Sequence, residues 1–398
     1  MLRCQAMHFP MIRGLVLMIL FTLAEAGFGS GPDATQKKID SIFGAAGLKD
    51  QDVPGAAVLV LKHGEVLFKH GYGVAELSSR TKVTPATNFR LASVSKQFTA
   101  MSVMLLVHDG KLHYDDRLTD IFPDFADYGK AITVRQLLQH TSGLKDYEDL
   151  MAPVDPNVPV EQIQIQDAGV LDLLKRETGT KFTPGTKWDY SNSGYVLLEL
   201  VVQKVSGKTF PEFLHERIFA PLGMNNTVAY VRGKNQVANR AFGHSREGAI
   251  PDRANAARSG SPGGKWKQTD QSSTSATLGD GGIYSSLEDL AKWDRALREN
   301  TLLSAREMQA ALTPVKVPEG QPTEPGGSPA AYGFGWFLNP YKGNRRMWHY
   351  GETMGFRTAI QRFEKDDLTI VVLCNRSDLD PTALALRVAD VLLEQGSK

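Results

Sequence analysis

Apolar residues recur at helical spacing over residues 34–47, where Ile39, Ile42, Phe43 and Ala46 share one side. The pattern then changes period. Ala56-Ala57-Val58-Leu59-Val60-Leu61 and Val66-Leu67-Phe68 flank Lys62-His63-Gly64-Glu65, which predicts a β-hairpin turning on a glycine. From Ser93 to His108 the spacing is helical again, with Phe98, Met101, Met104 and Leu105 on one side and Gly110 as the stop. Thr133 begins a short capped helix that ends at His140-Thr141-Ser142-Gly143, and a longer helix runs from about Gly194 to Val205. Ser285 and Glu288 fit a capping box ahead of Leu290, Trp293 and Leu297. Strand-like runs follow at Tyr332 to Leu338, Arg346 to Tyr350, Phe356 to Phe363 and Leu368 to Cys374, and a helix from Thr382 to Glu394 closes the chain.

Strands near both ends with helices between them imply one sheet assembled from the two ends of the chain. The expected class is α/β (α+β): an antiparallel sheet flanked by helices, with a mainly helical lobe in between. The sheet lobe covers about 34–114 and 291–398 and the helical lobe about 115–290, within a single domain over 27–398. Polar stretches rich in Gly and Pro at 151–168, 243–278 and 314–330 read as long loops, which often form functional rims.

Composition narrows the function classes. The 398 residues are 42% hydrophobic and 22% charged, with a net charge of +1 and no block of like charge. That balance fits a globular chain and excludes a nucleic-acid surface. The first 26 residues stand apart: Arg3 and Arg13, an apolar run from Gly14 to Leu23, then Ala24-Glu25-Ala26. A basic start, a short apolar core and an Ala-x-Ala exit describe a signal peptide, with cleavage after Ala26 and a secreted or periplasmic destination. Membrane contact is expected only if that segment stays attached. Cys4 lies in the signal, so Cys374 has no partner for an internal disulfide and reads as a buried thiol at the end of an apolar run. No Cys/His cluster has metal-ligand spacing, and no metal or other cofactor is expected.

Ser93 and Lys96 are three residues apart at the start of an apolar helical run, so one helix face carries both. A serine hydroxyl needs a base beside it, and a lysine one turn on serves if burial depresses its pKa. Two further stretches carry chemistry: Tyr190-Ser191-Asn192 on a turn into a helix, and His349-Tyr350-Gly351-Glu352 at the end of a strand. His140 invites a Ser/His pairing, but it sits at a helix end and no Gly-x-Ser-x-Gly elbow occurs, so it reads as structural.

These three ordered motifs resemble the serine β-lactamase and penicillin-binding-protein superfamily, on the branch joining class C β-lactamases to D-aminopeptidases and family VIII esterases. The resemblance spans roughly 40–395 and includes Ile132 to Leu144, Ile218 to Met224 and Gly281 to Leu290. It implies an acyl-enzyme on Ser93, with Lys96 or Tyr190 as the base and Asn192 holding the substrate amide. It also implies an oxyanion hole from the backbone N–H groups of Ser93 and Glu352. His349, Gly351 and Glu352 would meet the substrate, with Gly351 letting its backbone approach. The departure is on that strand: β-lactamases of this superfamily carry Lys-Thr-Gly or a close variant there. A histidine is only partly charged near neutral pH and Glu352 repels a carboxylate, which weakens the case for β-lactam turnover. The expected activity is therefore hydrolysis of a small-molecule or short-peptide substrate, an amide (D-residues included) or an ester. A true class C-type β-lactamase and a non-catalytic penicillin-recognising module are the alternatives.

Overall fold

The computed structural model describes Met1 and residues 34–49, 51–153, 155, 157–248 and 264–393. The expected signal segment therefore lies, apart from Met1, outside the described residues.

In chain order the strands are β1 (Ala56–Lys62), β2 (Glu65–Tyr72), β3 (Phe89–Arg90), β4 (Val228–Ala229), β5 (His244–Arg246), β6 (Trp266–Gln268), β7 (Ile283–Ser285), β8 (Met347–Thr353), β9 (Phe356–Phe363) and β10 (Leu368–Cys374). Five of them form the main antiparallel sheet in the order β2-β1-β10-β9-β8. The two ends of the chain meet where Ala56 pairs with Cys374 and Lys62 with Leu368. The class expected from the sequence is the one observed: a mixed fold around an antiparallel sheet, with helices before, within and after it. Alternation along β1 explains the layering, because successive side chains point to opposite faces. Val58 and Val60 pack with Ile39 and Phe43 of helix Ala34–Ala45 and Val388 and Ala389 of helix Pro381–Leu393. Ala57, Leu59 and Leu61 face the larger core, which contains Phe98, Met101 and Met104 of helix Lys96–His108. That helix is buried from Lys96 to Leu106. Its apolar residues are not confined to one side because it is surrounded on all of them.

Three local expectations shift. Tyr332 to Leu338 makes only isolated bridges, Tyr332 to Phe337 and Phe337 to Trp348, because it folds back on itself instead of extending the sheet. The cap before Leu290 is Ser286, whose hydroxyl accepts from the Asp289 amide, one residue later than the sequence pattern put it. Ser93 lies in a 3-10 turn, Ala92–Ser95, just ahead of the α-helix that begins at Lys96. A tighter turn there redirects the chain from β3 into the core.

Candidate active site

The turn that carries Ser93 is clamped from three sides. Ala92 has φ +48°, a left-handed conformation that costs a non-glycine residue about 1 kcal/mol or more. The Leu91 amide donates to Ile283 O at 2.8 Å, and the Leu91 carbonyl accepts from Thr358 Oγ1 at 2.7 Å. A Cβ on Gly351 would lie 2.1 Å from that same carbonyl. Gly351 is thus required by the chain's own turn at Leu91, and it does not line the pocket. This differs from the expectation that substrate backbone occupies that space.

Lys96 has no exposed surface, and its Nζ contacts Ser93 Oγ at 2.9 Å, Asn192 Oδ1 at 2.9 Å and the Asp280 carbonyl at 2.8 Å. The two latter oxygens only accept. A neutral amine spends its two hydrogens on them and turns its lone pair to the Ser93 hydroxyl. Burial lowers the Lys96 pKa to about 8, against the opposing pull of Asp280, Asp146 and Glu148. Tyr190 places its ring 5.0 Å from Lys96 Nζ. Its hydroxyl is buried without a hydrogen bond of regular geometry. Burial holds it as a phenol, well above the ordinary tyrosine range, although the nearby Ser93 hydroxyl eases ionisation.

Asn192 opens the helix Asn192–Ser206. Its amide donates to Asp146 Oδ2 at 2.8 Å, and its Nδ2 lies 3.5 Å from Glu148 Oε1. Asp146 also caps the short helix Tyr147–Leu150. The acidic run Asp146-Tyr147-Glu148-Asp149, which sequence reasoning passed over, is therefore tied to the Tyr190–Asn192 motif. Its signal was proximity in sequence to His140-Thr141-Ser142-Gly143. Below the site, Asp280 Oδ2 accepts from the Tyr147 hydroxyl at 3.1 Å. Asp167 accepts from the Leu278 amide at 3.0 Å, and a Cβ on Gly279 would lie 2.5 Å from that of Glu199. Burial raises the pKa of both Asp167 and Glu199.

On β8 the alternation sorts the expected residues into two sets. Tyr350 and Glu352 line the pocket, whereas His349 has no exposed surface and faces the interior. Burial and the Lys96 charge hold the His349 pKa down at about 3, so it is neutral. The expected role as a partly charged substrate contact does not match this placement, because the two-residue period turns His349 away from the cavity. Glu352 pairs with Arg357, its cross-strand neighbour on β9, at 2.7 Å. The cavity, about 1070 Å³, contains Ser93, Tyr190 and Asn192, with Asp146, Glu148 and Asp149 on one rim. Loop residues such as Met151, Ser272, Thr274 and Glu324 complete its walls. These come from the three long stretches expected to form rims.

The Beta-lactamase family model matches residues 41–394. The chain belongs to the beta-lactamase family. Penicillin-binding protein 4* of Bacillus subtilis (strain 168) is 31% identical over 373 residues, covering 90% of this chain and 76% of that protein. D-aminopeptidase of Brucella anthropi is 30% identical over 324 residues, covering 81% of this chain; the chain spans 56% of that protein's length. The structure of D-amino acid amidase from Ochrobactrum anthropi SV3 complexed with D-phenylalanine superposes with a TM-score of 0.72 at 24% identity, over 91% of this chain and 100% of that one. That likeness is one of fold. As a member of that family the chain is a serine hydrolase.

Proposed function

We propose that this chain is an exported serine amidohydrolase that cleaves small amides or short peptides bearing a free α-amino group, D-residues included, through an acyl-enzyme on Ser93. The observation that carries the reading is the contact of buried Lys96 with Ser93 Oγ at 2.9 Å. Neutral Lys96 takes the Ser93 proton as Oγ attacks the substrate carbonyl. The oxyanion forms against the Ser93 and Glu352 backbone amides. Tyr190, held as a phenol, gives its proton to the leaving nitrogen and recovers one from the Lys96 ammonium. Water then repeats the sequence on the ester, releasing acid and freeing Ser93. Tyr190 is thereby the relay and Lys96 the base, since burial raises one pKa and lowers the other.

Electrostatics favours an amine over a carboxylate on the substrate. Asp146, Glu148 and Asp149 share a rim, while the cations lining the cavity, Lys181 and Arg357, are paired with Asp189 and Glu352. The D-aminopeptidase relative supports the same choice. Export rests on the basic, apolar and Ala-x-Ala pattern of residues 1–26.

A panel of D-aminoacyl anilides, their N-acetylated forms, simple esters and nitrocefin, run beside Ser93→Ala, tests this. Hydrolysis of the free-amine anilides that is lost in Ser93→Ala is expected. Steady nitrocefin turnover would select the β-lactamase reading, and failure of a fluorophosphonate to label Ser93 the non-catalytic one. Edman sequencing of exported protein should begin at Gly27.

A further inference from the structure

Behind the cavity, three buried side chains form a hydrogen-bonded row whose direction is set by backbone at both ends. The Ser191 amide donates to His140 Nδ1 at 3.2 Å. An amide can only donate, so His140 carries its proton on Nε2. That nitrogen lies 3.1 Å from the Tyr332 hydroxyl and donates to it. At the far end His349 Nδ1 lies 2.6 Å from the Tyr350 carbonyl. A carbonyl can only accept, so the His349 proton is on Nδ1 and its Nε2 is an acceptor. The Tyr332 hydroxyl lies 3.2 Å from that nitrogen and can donate to it, sharing its hydrogen with the Tyr195 oxygen. The row therefore runs Ser191 to His140 to Tyr332 to His349 to Tyr350, and each ring nitrogen in it has a partner. Such rows polarise and stiffen one another in a dry interior.

What the row joins gives it meaning. Ser191 lies between Tyr190 and Asn192, and Tyr350 lies two residues before Glu352 on β8. The row joins the Tyr190 loop to strand β8 through well-buried side chains: Tyr332 and His349 are fully buried and His140 is 1% exposed. His140 holds φ +57°, and closing a helix end needs no imidazole there. Tyr195, whose own hydroxyl donates to Leu138 O at 2.9 Å, packs 5.1 Å from the His140 ring and meets the Tyr332 hydroxyl as a second acceptor.

We propose that Tyr332 is a positioning residue: by accepting from His140 and donating to His349, its hydroxyl holds the Tyr190 loop and strand β8 at the separation that acyl transfer on Ser93 requires. This rests on the acyl-transfer reading above. Displacements near 1 Å cost such reactions roughly a hundredfold.

The test is fluorophosphonate labelling of Ser93 in the full chain, comparing Tyr332→Phe, His140→Asn and the double variant, with thermal melting alongside. Tyr332→Phe should lower the maximal labelling rate about tenfold to a hundredfold. The concentration giving half-maximal rate should stay unchanged, since the cavity walls are untouched. The double variant should lose no more than the worse single one, because both cut the same row. A Tyr332→Phe chain that melts lower but labels at the parent rate overturns the proposal, as does a multiplicative loss in the double variant. If the parent chain is not labelled at all, the acyl-transfer reading falls and takes this one with it. Normal parent labelling with an unaffected variant sinks the positioning role alone.

Discussion

Glu352 and Arg357 face each other across β8 and β9, 2.7 Å apart, with the carboxylate at the cavity and the guanidinium almost buried beneath it. The carboxylate masks Arg357, the β9 cation that a substrate carboxylate would otherwise meet at the cavity wall. Glu352→Gln keeps the backbone amide and unmasks Arg357. Efficiency toward anionic substrates such as nitrocefin should rise severalfold and that toward free-amine anilides should fall. The kcat/KM ratio of the two at low salt measures this, and an unchanged ratio would remove Glu352 from substrate selection.

Lys96 predicts the pH dependence. In the proposed mechanism Lys96 acts as a deprotonated base, and burial lowers its pKa to about 8. Activity should therefore climb with pH and level off above about 8, in a kcat/KM profile taken on a substrate that does not itself titrate. Lys96→Met should cost about 10²–10⁴ in kcat.

Asp280 opposes that lowering. In Asp280→Asn the carbonyl that accepts from Lys96 remains while the carboxylate is gone. The rising limb should move to lower pH, with the melting temperature little changed because the Tyr147 hydroxyl still has an oxygen to meet. A limb that stays in place would show that Asp280 is screened from the amine.

His349 should contribute no limb in the ordinary histidine range, because burial keeps it neutral down to about 3. His349→Lys places an unpaired cation beside Tyr332 and Lys96 and should destabilise the fold by about 3–5 kcal/mol. Denaturant unfolding reports it.

Asp167 and Glu199 bear on stability. Burial raises both folded pKa values above the ordinary carboxylate range. The folded state then binds more protons than the unfolded one, so stability falls as pH rises from about 4 through the raised values. Glu199→Gln should flatten that decline in urea titrations at several pH values. A parent protein whose stability is flat over this window would contradict the assignment.

The sheet built from both chain ends was legible because β1 and β10 are continuous, β-branched apolar runs bounded by turns, as strands buried on both faces are. Tyr332–Leu338 was not, since its apolar residues serve a folded-back segment and an aromatic cluster with Trp348, which local pattern does not distinguish from pairing. Ser93, Lys96, Tyr190 and Asn192 were found by order and spacing, and the fold brings them together. What spacing could not show is which face of β8 meets the cavity: register against β9 turns Tyr350 and Glu352 inward to it and His349 away. His140, read as structural, is buried and does not line the cavity. Its helix-end position is real, and its ring nonetheless lies against Tyr190, with centroids 4.3 Å apart.

The pairing of Ala56 with Cys374 also sets a timetable. During synthesis Ser93 and Lys96 emerge well before β8, β9 and β10. Until they do, the Leu91–Ser93 turn has neither Thr358 to accept from nor Gly351 to rest on. A nascent or interrupted chain that lacks β8 and β9 therefore presents Ser93 on a turn without the strands that fix it.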